Sequence, residues 1–151
     1  MKATDLMIGD YVFCDWVTHK VYFDGDVMTD RGYKVSRRII KVSSVNEGGI
    51  TFKSLKDGSQ ISIKEEDLVP IPLTQEILEK NYGKETQVGI SDKPCWGEMG
   101  AIWSTMLWKC ENSFWLEVST IASGFVKKHI LYVHELQHAL RLCGIEKEIE
   151  L

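Results

Sequence analysis

Pro70-Ile71-Pro72 constrains this chain more than any other stretch. Each proline lacks a backbone N–H and holds its predecessor extended, so a sheet ladder ends here and no helix runs through. The residues before this joint read almost wholly as strand, whereas those after it mix helix and strand. The chain is therefore expected to divide into residues 1–70 and 71–151. Its 151 residues suit one domain or two small ones. At that length about 68–70% of the unfolded surface can be buried, so no disulfide or metal staple is needed.

Upstream of the joint, Gly9-Asp10 marks a turn into a strand that starts at Tyr11. Asp24-Gly25-Asp26 and Arg31-Gly32 read as loops, and residues 38–45 are rich in β-branched side chains. Glu47-Gly48-Gly49 reads as a turn. Residues 50–53 and 60–64 alternate apolar and polar, with Asp57-Gly58 supplying hairpin chemistry between them. Four or five short strands at about ten-residue spacing predict a small SH3-like β-barrel.

Downstream, Thr74 is placed to cap a short helix that Gly83 stops. Pro94, Gly97 and Gly100 make residues 84–100 read as loop. Residues 101–108, 113–118 and 126–131 predict a three-stranded antiparallel sheet, and a closing helix runs to Gly144. The charged tail from Glu146 is expected to fray. The fold class is thus α+β: a barrel-like half, then a short helix, a three-stranded sheet and a C-terminal helix. Tryptophans at 96, 103, 108 and 115 are expected mainly in the core.

The closing helix carries His134-Glu135-x-x-His138, the spelling of a zinc-hydrolase helix. In that reading His134 and His138 ligate zinc and Glu135 is the general base. A third protein ligand is then required, but none of the 13 residues after His138 is His. At 100° per residue, Tyr132, Val133, Leu136, Ala139, Leu140 and Cys143 share one stripe, and His134, Gln137, His138 and Arg141 lie opposite it. The residues favour an amphipathic helix with two exposed histidines, with no metal and no cofactor.

Net charge is −4, so nothing overall draws the chain to nucleic acid or an anionic membrane. Locally, Arg31, Lys34, Arg37, Arg38 and Lys41 cluster around Tyr33; of these, Arg31, Arg37, Arg38 and Lys41 are the candidate contacts to phosphate or an acidic partner. Asp24, Asp26 and Asp30 fail the calcium-loop pattern, because Val35 stands where its closing Glu belongs. No signal peptide or run of about 18 apolar residues is evident. Four scattered cysteines read as thiols of a reducing compartment, so a cytoplasmic protein is expected.

The strings Leu6-Met7-Ile8-Gly9-Asp10-Tyr11-Val12, Pro70-Ile71-Pro72-Leu73-Thr74 and Tyr132-Val133-His134-Glu135-Leu136-Gln137 resemble a family of uncharacterised proteins of gut Bacteroidetes, often carried by prophages and mobile elements. The resemblance covers both ends and the middle joint. Its members often have Asn where this chain has His138, which weighs against zinc. The resemblance carries no known activity, substrate or catalytic residue; the chain is expected to be a non-catalytic interaction or accessory protein of a mobile element that binds protein or nucleic acid through the barrel half, with self-association left open.

Overall fold

A computed structural model describes residues 1–24, 27–53, 58–85, 94–121 and 124–151; of residues 4, 16–24, 27–35, 124 and 125 it describes the backbone alone. The chain divides into two compact units, Met1–Pro70 and Ile71–Leu151.

The first unit is built on one long hairpin. Strand β1 (Tyr11–Asp24) pairs antiparallel with β2 (Val27–Lys41) from Tyr11↔Lys41 to Asp24↔Val27, with a register shift between His19 and Val21. The Gly9 turn feeds β1 at φ 91°, where glycine carries no Cβ penalty. The buried Asp10 side chain accepts from Met7 N (2.8 Å), and its carbonyl accepts from Val42 N (2.8 Å). A short β6 (Leu68–Val69) pairs with β1 at Phe13 and Cys14 only. Strands β3 (Ser44–Asn46), β4 (Gly49–Lys53) and β5 (Gln60–Lys64) form a second antiparallel sheet. Ala3, Leu6, Val12, Cys14, Ile40, Val42, Ile50, Ile63 and Leu68 make one buried cluster.

These two sheets, ordered β2-β1-β6 and β3-β4-β5, do not close into the expected SH3-like barrel. Strand length gives the reason. β1 and β2 spend their reach on each other, and β3 to β6 have two to five residues each, too few to wrap a common axis. Arg31-Gly32 is not a loop but lies within β2. The Asp57-Gly58 and Asp24-Gly25-Asp26 turns fall partly outside the described residues.

In the second unit, Thr74 caps α1 (Gln75–Tyr82) and Gly83 ends it at φ 81°. Strands β7 (Cys95–Met99), β8 (Trp103–Lys109), β9 (Phe114–Thr120) and β10 (Gly124–Ile130) form a four-stranded antiparallel meander, where three strands were expected. The extra strand is β7, in a stretch whose Pro and Gly suggested loop. One sheet face is buried through Trp96, Thr105, Leu107, Phe114, Leu116, Val118 and Ile130. Helix α2 (Val133–Leu142) follows β10 directly and buries Val133, Leu136, Ala139 and Leu140. Of the tryptophans, Trp96 is fully buried, while Trp103, Trp108 and Trp115 are half-buried.

The tail does not fray. Ile145 and Ile149 are buried, and the Asn81 side chain exchanges two hydrogen bonds with the Glu150 backbone (both 2.8 Å). Lys147 bonds Glu98 and sits 4.5 Å from the Tyr82 ring centroid. Burial pushes the Tyr82 phenol well above its ordinary value, helped by the nearby Glu98 charge. The Thr105 hydroxyl tempers that shift, although neither oxygen meets hydrogen-bond geometry with a partner among the described residues. A phenol raised by folding keeps its proton in the folded state after the unfolded chain has lost its own. Stability is therefore full below pH 10 and falls as pH climbs through the folded value. Tyr82→Phe should flatten that alkaline loss in denaturant titrations. It should also leave neutral-pH stability unchanged or raised by up to about 1 kcal/mol, because an unsatisfied buried hydroxyl is removed.

Candidate functional site

Two sequence-selected groups have defined geometry: the start of α2 and the base of the β1–β2 ribbon. Tyr132 precedes α2 as its N-cap in extended backbone, at φ −128° and ψ 154°. The Tyr132 ring therefore stands off the helical wheel and stacks on His134, with centroids 5.7 Å apart and planes within 8°. His138 meets His134 edge-on at 5.8 Å. His134, between those two rings, is 6% exposed, and Gln137 is 2% exposed, against the expected solvent-facing set. For His134 the wheel failed because it assigned Tyr132 a helical angle that an N-cap does not have. His138 and Arg141 are half-buried.

Glu135 stands at the third position of the helix and turns back on its start. Its Oε2 accepts from Leu131 N (2.8 Å) and Tyr132 N (3.2 Å). Those are donors that helix geometry leaves without intrahelical partners. The carboxylate most needed for zinc-hydrolase chemistry is thus occupied with backbone. Among the described residues no three His, Cys, Asp or Glu side chains are grouped to hold a metal ion. Glu135→Ala should cost about 1 kcal/mol in urea denaturation, with Glu135→Gln recovering part of it. Equal stability of the Ala variant and the parent would refute the capping role.

At the ribbon base, cross-strand pairs Tyr11↔Lys41, Phe13↔Ile39 and Asp15↔Arg37 share one face. Arg37 donates to Asp15 through Nε (2.7 Å) and a terminal nitrogen (2.8 Å), a fork-to-carboxylate pair. That hydrogen bonding holds the Asp15 carboxyl below its ordinary range and raises Arg37. The Arg37 guanidinium lies 5.6 Å from the Phe13 ring centroid, and Lys41 Nζ lies 5.4 Å from that of Tyr11. Ile39 between them is half exposed. Arg38 is exposed and pairs with Cys14 in the register. The Arg31 side chain lies outside the described residues. Three of the four candidate cations thus sit within five residues of one strand. Tyr11, Phe13, Asp15 and Ile39 join them, which sequence reasoning missed; apolar–polar alternation on both strands was the available signal. No protein-family model, curated protein or solved structure matches the chain.

Proposed function

We propose that the protein is a non-catalytic nucleic-acid-binding accessory factor that makes its contact through the β1–β2 ribbon. The observation that carries this reading is charge segregation. Residues 11–41 hold six Lys or Arg and four Asp, a net of +2, while the remaining residues hold 12 Lys or Arg and 18 Asp or Glu, a net of −6. The positive share falls on one paired ribbon. At about 3.3 Å per residue, its 14-residue strand reaches about 46 Å. A two-stranded ribbon is one of the few elements a DNA major groove admits. Beyond Cys14, the β1 edge away from β2 pairs with no other described strand. An accessory role in a mobile element, the setting in which the resembling family often occurs, is part of the same proposal.

The test is equilibrium binding to duplex DNA across a salt series. Affinity should fall steeply with salt, and neutralising Arg38 and Lys41 to Gln should reduce the log–log slope by about 2. Arg37 is tied to Asp15, so Asp15→Asn should tighten binding by releasing that guanidinium. Binding indifferent to salt, or none, would reject nucleic acid and leave a protein partner. Stoichiometric zinc in purified protein, lost in His138→Ala, would instead favour a zinc hydrolase.

A further inference from the structure

We propose that the open face of the second unit's sheet is a stacking platform for single-stranded nucleic acid, independent of the ribbon. In the meander, Trp108 on β8 lies directly opposite Trp115 on β9, which lies opposite His129 on β10. By strand alternation these three share the face opposite Leu107, Leu116 and Ile130. The elements of this unit cover that other face: Lys109 reaches Gln75 of α1, and Glu98 holds Lys147 of the tail. The row of rings is thus left half-buried at Trp108 and Trp115 and exposed at His129.

The rings are held in place. His129 meets Trp115 edge-on at 4.5 Å, and its Nδ1 lies 3.3 Å from Ser113 Oγ. On this face Trp108 is flanked by the buried Cys95 across β7 and by Met106, which is laid over Gly97; Glu117 follows Trp115, and Ser104 and Ser119 pair further along. On the adjoining edge strand Lys127 is exposed and shares this face, whereas Lys128 pairs with Leu116 and alternates to the other. Lys127 lies 3.6 Å from Glu117 on the same face. Aromatic rings on central strands with a lysine on the adjoining edge suit unpaired bases, whose π-faces stack while a phosphate meets the ammonium. A duplex hides those π-faces, so the platform selects single strands.

Fluorescence anisotropy of a labelled 15-nucleotide oligothymidylate, at low salt, tests this with the full chain. Trp115→Ala and Trp108→Ala should each weaken binding about tenfold. Trp115→Phe should recover most of the loss, which separates stacking from misfolding. Glu117→Gln should tighten binding, because it removes a carboxylate from the phosphate path; a purely structural role for the face predicts no gain. Arg38→Gln with Lys41→Gln should leave oligothymidylate affinity within about twofold. Loss in that ribbon variant with no loss in the Trp variants would overturn the platform and leave the ribbon reading standing. The reverse pattern is the one expected, and it leaves the ribbon to its own test on duplex DNA. No binding, or equal competition by duplex of the same length, would also overturn it.

Discussion

Leu136→Ala should lower the stability of the second unit by about 3 kcal/mol, whereas Leu142→Ala should change it by less than about 0.5 kcal/mol. The two residues lie six positions apart on α2 and differ completely in surroundings: Leu136 is fully buried and Leu142 is 79% exposed. Truncating Leu136 removes three buried carbons and leaves a void between helix and sheet that close-packed neighbours refill only in part. Truncating Leu142 removes atoms that water already touches. The measurement is paired urea denaturation followed by tryptophan fluorescence. Similar losses in both variants would show that the helix does not present the face described here. The environments of His134 and His138 would then need redrawing too.

That helix also shows what the sequence could and could not convey. Its existence, its stop at Gly144 and its buried stripe were readable, because they follow from periodicity and from one residue able to adopt φ 72°. The burial of His134 was not readable, because it depends on Tyr132 leaving the helix at the cap. The Glu135 contact could have been read as a capping pattern; the zinc-ligand spelling drew attention from it. In the first unit, turn chemistry located Gly9-Asp10 correctly but read Arg31-Gly32 as a loop; these two residues lie within β2 at its register shift, where the local glycine preference yields a bulge-like irregularity instead of a chain reversal. The barrel failed for a related reason. Alternation specifies which face of a strand is buried, but closure depends on how many residues each strand can offer to two neighbours. The basic cluster was visible as composition. Its partners Asp15, Phe13 and Tyr11 lie more than twenty residues away, and only the register brings them across.

Gly97→Ala should be among the most damaging single substitutions in the second unit, although it adds one methyl group to a half-buried position. A Cβ there would lie 2.6 Å from both Met106 Sδ and the Thr105 carbonyl oxygen. The thioether can swing aside, since methionine has several low-energy rotamers. The carbonyl belongs to the β8 backbone, which is paired on both sides with β7 and β9, so it can move only if the ladder moves. The expected cost is about 3 kcal/mol, or about 10 °C in the unfolding midpoint. Gly83→Ala provides the comparison. Its Cβ would meet nothing within 4 Å, but φ 81° with ψ −171° is a conformation essentially reserved for glycine, so it should cost about 2 kcal/mol through backbone strain alone. Combining Met106→Ala with Gly97→Ala separates the two contacts in a double-mutant cycle. If the backbone oxygen dominates, removing the thioether should restore little of the lost stability. A Gly97→Ala protein that melts with the parent would mean that β7 does not lie against β8 in this register. The packing of Met106 over Gly97 beside the Trp108–Trp115 row would disappear with it.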